Sequence, residues 1–180
     1  MDRIGLVARF KPVHQGHAAM LEALCLASRH VVIGLGSPNR FDRRNPFTAE
    51  ESADMIDRVL SPHFENYELV LVPDLDDGPR WRELVRGLYG ELDCFVTAND
   101  YVRSLLEGTY RIAHPASFVP EAKKVPLDAT LVRAAMARGE RWRALVPPSV
   151  EHYLDEHGLV ARFRRDFGLE TLAREVAVPS

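Results

Sequence analysis

Residues 8–17 read Ala8-Arg9-Phe10-Lys11-Pro12-Val13-His14-Gln15-Gly16-His17. The stretch joins an apolar run at 4–8 to a helical pattern at 17–29, and the join carries two histidines around one glycine. With seven histidines and eleven glycines in 180 residues, HxGH arises by chance somewhere in the chain with odds of roughly 0.016. A strand that turns into a helix places unpaired N–H groups and about half a positive elementary charge at the turn. Gly16 lets backbone approach a ligand closely. Two imidazoles one helical turn apart can donate to one oxyanion, and a nearby phosphate favours their charged form. Arg9 and Lys11 add positive charge. The loop therefore reads as an anion cradle for phosphate. No third or fourth His or Cys stands at zinc spacing, and neither GxxxxGK[ST] nor GxGxxG is present.

Working outward, short β-rich runs alternate with helical patterns. Strands are expected at 4–8, 31–36, 67–72 and 94–98, with a fifth at 110–113 or 117–119. Helices are expected at 17–29, 48–60, 80–88, about 100–106 and 129–138. Thr48-Ala49-Glu50-Glu51 spells a capping box. Asp77 or Gly78-Pro79 opens the third helix, Asn99-Asp100 the fourth and Asp128 the fifth, which Gly139 ends. Two short helices follow, near 149–156 and 159–167. Alternation of this kind specifies parallel strands joined by crossovers, a doubly wound, Rossmann-like α/β sheet of about five strands with helices on both faces. Continuous apolar runs suit strands covered on both sides. The expected organisation is one domain over 1–148 and a short helical extension over 149–180 packed on it, with 120–127 as the best candidate for a mobile loop. Ligands of such sheets bind beyond the carboxyl ends of the strands, which singles out the loops after the first four.

Composition narrows the class. Hydrophobic residues make up 46% and charged residues 27%, as in a folded globular chain rather than a disordered or disulfide-built one. The net charge of −3 argues against nucleic acid as partner. Cys25 and Cys94 form no CxxC pair and sit in apolar runs, which suits a reducing compartment. The N-terminus lacks the apolar core of a signal peptide, and no run approaches a membrane span. The expectation is a cytoplasmic protein with no membrane partner.

The strand-plus-HxGH stretch resembles the nucleotidylyltransferase superfamily, whose pattern is roughly (G)RFxPxHxGH. Three further segments are similar to its archaeal-type nicotinamide mononucleotide adenylyltransferases. They are Arg44-Asn45-Pro46-Phe47-Thr48-Ala49, Val72-Pro73 followed by an acidic loop and Trp81, and Asp128-Ala129-Thr130-Leu131-Val132-Arg133. The resemblance spans about residues 4–155. It implies adenylyl transfer from ATP to the 5′-phosphate of nicotinamide mononucleotide, with Mg²⁺ and without a covalent enzyme intermediate. It assigns His14, His17 and Arg133 to catalysis on the ATP phosphates, and Arg9, Phe10, Lys11, Gly16, Arg44 and Thr130 to the ATP and phosphate site. It assigns Trp81, Asn99 and Asp76 to the acceptor nucleotide, Trp81 by stacking on the nicotinamide ring. Homo-oligomers are common in the family, which is the basis for expecting one here.

Plainer readings stand beside these. Trp81 shares a helical face with Leu84, Val85 and Leu88, as a core aromatic would. Asp74, Asp76 and Asp77 fit a turn and helix cap as well as an acceptor or a water-bridged Mg²⁺. Arg40, Arg43 and Arg44 form either a triphosphate clamp or a solvated loop, and Arg162, Arg164 and Arg165 read as a polar helix face. The chain also departs from the family's PFTAGER, with Glu50 for its glycine and Ser52 for its arginine, and Asp128 opens the late motif. Two alternatives therefore stay open: nucleotidyl transfer, from ATP or CTP, to another phosphorylated small molecule, and a nucleotide-binding regulatory module of low turnover.

Overall fold

The computed structural model describes residues 1–125 and 127–176. Five strands, β1 (Arg3–Ala8), β2 (His30–Gly36), β3 (Tyr67–Val72), β4 (Cys94–Val96) and β5 (Ile112–Ala113), form one parallel sheet in the order β3-β2-β1-β4-β5. Leu6 is in register with Ile33 on one side and Val96 on the other. Strand order reverses between β1 and β4, so a crevice opens where their carboxyl ends diverge.

The period of two along each strand divides the core into two layers. Ile4, Leu6, Val31, Ile33, Leu35, Cys94 and Val96 join one cluster, covered by α1 (Gln15–Ala27), α2 (Ala49–Leu60), α5 (Ala129–Arg138) and the C-terminal helices α6 (Pro148–Glu156) and α7 (Leu159–Val176). Val32, Val72 and Phe95 join the other, under α3 (Gly78–Tyr89) and α4 (Asp100–Leu106). Gly34 is forced by packing. A Cβ there would stand 1.9 Å from the Tyr89 hydroxyl, which donates to the Leu6 carbonyl at 2.7 Å.

Most helix starts follow their expected caps. Thr48 and Glu51 close both arms of the capping box. Asp77, Asn99 and Asp128 each accept backbone N–H groups from the first turn of their helices. Gly139 ends α5 in the left-handed conformation.

Several boundaries differ from expectation. Helix α1 begins at Gln15 rather than 17, because His14 is itself the N-cap. Strand β4 stops at Val96, and the Thr97 hydroxyl turns back to accept from Asn99 N–H. The fifth strand is only Ile112–Ala113, while Pro115–Ser117 coils into a 3₁₀ turn capped by His114. Strand β3 is a sheet edge with Leu71 about half exposed, so it is not covered on both faces. Helix α7 runs past 167 through Gly168, held by the Thr171 hydroxyl donating to Phe167 O at 2.8 Å and by Leu172 against the core. Of the segment 120–127, Glu121–Lys123 forms a 3₁₀ turn; Pro126, like residues 177–180 of the C-terminal extension, lies outside the described residues. Among the described residues, no helix is long and apolar enough to cross a membrane.

Candidate active site

The loops after β1, β2 and β3 each contain one non-glycine residue with positive φ: Phe10 (54°), Ser37 (55°) and Asp76 (53°). Such conformations cost of order 1–3 kcal/mol and gather where function constrains backbone. Here they bend three successive loops over the carboxyl edge of the sheet. Phe10 is buried, and its ring meets that of His17 with centroids 4.9 Å apart.

His14, 4% exposed, uses its ring Nδ1 to accept the His17 N–H at 3.3 Å. An accepting Nδ1 carries no proton, so the neutral ring is protonated at Nε2, its remaining donor. The rings of His14 and His17 stack with centroids 3.7 Å apart. A Cβ on Gly16 would come within 3.2 Å of His14 Cε1, so glycine is what allows the stack at the helix start. His17 Nδ1 is buried with no hydrogen-bond partner among the described residues. Burial pushes the His14 imidazolium down to about 4, against a weaker opposing pull from Asp128. Burial and then the neighbouring His14 hold His17 well below the ordinary histidine range. Without ligand, both rings are neutral at pH 7. Each therefore has only one ring N–H to donate until an anion arrives to favour protonation.

Arginines complete the cradle. A cavity of about 360 Å³ is lined by Arg9, Phe10, Lys11, His17, Arg43, Arg44, Ala129, Thr130 and Arg133. Arg133, 7% exposed, donates to Lys11 O at 2.8 Å and to the Thr130 hydroxyl at 3.4 Å. Burial, and next the charge of Arg9, lower its guanidinium to about 10. Among the described residues, no carboxylate lies within ion-pairing distance of Arg9, Arg44 or Arg133. Arg133, buried, and Arg9 and Arg44, exposed at the cavity's rim, concentrate positive charge that suits an anion. Lys11 is only 2% exposed and donates its Nζ to Ser37 O at 2.9 Å. Burial lowers it to about 8. It is therefore a buried cation tying the β1 and β2 loops together, rather than a free-swinging surface lysine.

A second cavity of about 670 Å³ adjoins the first and is lined by Asp74, Asp76, Asp77, Trp81, Asn99 and Tyr101, among others. Arg9 and Arg44 line both cavities. Trp81 is half-buried, packing against the α3-side core while facing this cavity, so the core and site readings both hold for it. The Asn99 side-chain oxygen is taken up by capping α4, accepting from Tyr101 and Val102 N–H. Asp76 forms a bidentate pair with Arg40 at 2.6 and 2.8 Å, which Asp74 joins at 3.6 Å; Asp77 caps α3. The acidic cluster thus splits into an ion pair and a cap. Asn45, 4% exposed, donates to both Asp42 oxygens and leaves its own Oδ1 buried in this wall, without a partner among the described residues.

The departures from PFTAGER fall away from these cavities. Ser52 is fully buried on the inner face of α2, its hydroxyl donating to Thr48 O at 2.9 Å, and Glu50 is exposed; neither lines either cavity. Arg43 and Arg44 supply the local charge. Arg162, read as part of a polar face, instead points inward and forks onto Glu51, which no local pattern in the sequence could reveal. Among the described residues, no group of three or more His, Cys, Asp or Glu is placed to hold a metal ion.

The geometry agrees with the comparisons. Residues 6–142 match the family described as cytidylyltransferase-like, and the chain belongs to this family of HxGH nucleotidyltransferases. The nicotinamide-nucleotide adenylyltransferase of Pyrococcus furiosus is 33% identical over 99% of this chain and 97% of its own. That of Pyrococcus horikoshii is 34% identical over 96% and 94%. Among solved structures, a bifunctional NMN adenylyltransferase/ADP ribose pyrophosphatase of Francisella tularensis, crystallised with AMP and a Mn ion, superposes with a TM-score of 0.71 at 17% identity. It matches 99% of this chain, which spans 57% of that protein. That likeness supports the fold.

Proposed function

We propose that the chain is a nicotinamide-nucleotide adenylyltransferase. The 5′-phosphate oxygen of nicotinamide mononucleotide bonds to the α-phosphorus of ATP while the bond from that phosphorus to the bridging α,β oxygen breaks, giving NAD⁺ and pyrophosphate. One observation carries the reading beyond the relatives' names: Arg9 and Arg44 stand in the wall shared by the two cavities. An acceptor phosphate and a donor α-phosphate must meet at such a wall.

In this reading the smaller cavity takes the triphosphate. His14 and His17 neutralise charge that builds on the α-phosphoryl group, and Arg133 with Thr130 holds the outer phosphates. Phe10 keeps His17 in place, Gly16 admits the phosphate to the helix start, and Lys11 adds charge from within the wall. Transfer of this kind needs in-line placement and neutralised charge more than proton shuttling. That suits a site holding cations and no activated nucleophile. Trp81 stacks on the acceptor's ring, with Asn99 and Asp76 near its ribose and base. Mg²⁺ is the divalent ion proposed. Among the described residues no cluster of His, Cys, Asp or Glu would hold it, so the nucleotide's phosphates would share its binding.

The test is to supply purified protein with ATP or CTP against nicotinamide mononucleotide, its deamidated form and other phosphorylated acceptors, measuring pyrophosphate and dinucleotide. NAD⁺ formed fastest from ATP and nicotinamide mononucleotide supports the reading. Faster turnover of another pair, or tight ATP binding without turnover, overturns it.

A further inference from the structure

We infer that helix α7 is a working brace of the donor site, with Arg162 as its positioning residue. The inference rests on the reading that the arginines of the β2–α2 loop grip ATP. Those arginines sit on a long connection, residues 37–48, with little regular structure of its own. Long Arg side chains on such a segment lose substantial conformational freedom when they bind, and affinity falls unless something else orders the segment first.

Helix α7 supplies that order at several points. Arg162 donates one guanidinium nitrogen to Glu51 Oε1 at 2.6 Å and the other to Glu51 Oε2 at 2.7 Å. The second nitrogen also donates to Pro46 O at 3.0 Å. The guanidinium lies 5.8 Å from the Phe41 ring centre, and Phe41 meets Phe167 edge-on at 5.3 Å. Further along the helix, Glu170 pairs with Arg43 at 3.2 Å. Glu51 is the capping-box residue that accepts Thr48 N–H at 2.9 Å. The chain of contact therefore runs from α7 through Arg162 to Glu51, Thr48 and Pro46, immediately beside Arg44.

Two features separate this from ordinary surface pairing. The Arg162–Glu51 fork is partly buried, with side-chain exposures of 26% and 15%, where a planar bidentate pair is most directional. Its partners also flank one loop, Pro46 within it and Glu51 in the first turn of the helix it leads into, and Arg43 and Arg44 of that loop line the phosphate cavity. Arg162 touches neither cavity and acts through the loop.

The experiment compares wild type with Arg162→Met, Arg162→Lys and the exposed, low-risk Glu170→Gln. One readout is steady-state kinetics. The other is trypsin cleavage after Arg40, Arg43 and Arg44, mapped by peptide mass against cleavage after Arg82 and Arg86 in α3. For Arg162→Met we expect the KM for ATP to rise roughly tenfold with kcat little changed, since small misplacements of binding groups carry penalties of this order. Loop cleavage should accelerate while α3 cleavage does not. Arg162→Lys should recover part of both, and Glu170→Gln should show a smaller effect of the same kind. An unchanged KM in Arg162→Met and Glu170→Gln, or loop and α3 cleavage rising together, overturns the brace and leaves α7 as general packing. If Arg162→Met does not fold, Glu170→Gln alone decides by the same criteria. If wild type makes no NAD⁺, the proposed function fails instead, and the cleavage pattern still decides whether α7 restrains the loop.

Discussion

The rings of His14 and His17 lie face to face, 3.7 Å between centroids and 21° from parallel. Two imidazolium ions so close and so buried would repel strongly, and the pair is neutral in the free protein. Burial makes the cradle sensitive to acid. His14 has an ordinary value of 6.5 lowered to about 4 by burial. Its stabilising contribution is fully present above pH 6.5. As pH falls from there towards 4 the unfolded chain takes up a proton that the folded chain refuses, and stability is lost. A depression of that size corresponds to about 3 kcal/mol. Urea unfolding between pH 8 and pH 4 should show the decline, and His14→Asn, which keeps a helix-capping side chain, should flatten it. An equally steep profile in the variant would detach the effect from His14.

The His17 side chain lines the smaller cavity beside Arg133 and Thr130. Replacing it with alanine should lower kcat by roughly 10²-fold or more, as loss of one donor to a developing charge does elsewhere. Single-turnover rates with saturating ATP measure this directly, and a rate within twofold of wild type would remove His17 from the chemistry.

Arg9 and Arg44 should behave differently from Arg133. The first two line both cavities, whereas Arg133 lines only the smaller. Arg9→Ala or Arg44→Ala should therefore weaken both substrates, and Arg133→Ala chiefly ATP. Because Arg133 also donates to Lys11 O, its loss should lower stability by about 1–3 kcal/mol. Calorimetric titration of each substrate, beside thermal melts, separates the two effects. Lost stability at normal ATP affinity would make Arg133 structural.

Trp81 packs against the α3-side core and faces the larger cavity. Trp81→Ala should raise the KM for the acceptor several-fold while sparing that for ATP. Trp81→Phe, which keeps an aromatic face, should recover most of it. A change confined to ATP affinity would place the ring in the wrong subsite.

The strands, the helix starts and the turn that carries HxGH were largely legible in the residues because each depends on local signals. Short apolar runs placed the strands, side-chain oxygens placed the helix starts, and HxGH marked the turn out of β1. What stayed hidden depends on contacts between distant positions. Lys11 reads as charge in the phosphate loop, but the bond from its Nζ to Ser37 O, 26 positions away, leaves no local signal. Asp76 reads toward the acceptor, and its pairing with Arg40 across two loops leaves no local signal. Arg162 looked solvated because its partner Glu51 lies 111 residues earlier. Ser52 looked like a lost phosphate contact, and only packing shows that its position faces inward.

The bond from Arg133 to Lys11 O spans 122 positions. Both histidines emerge from the ribosome early, yet the pocket they serve cannot close until the last wall arrives more than a hundred residues later. A nascent or truncated chain ending before α5 would display the motif and bind nucleotide poorly.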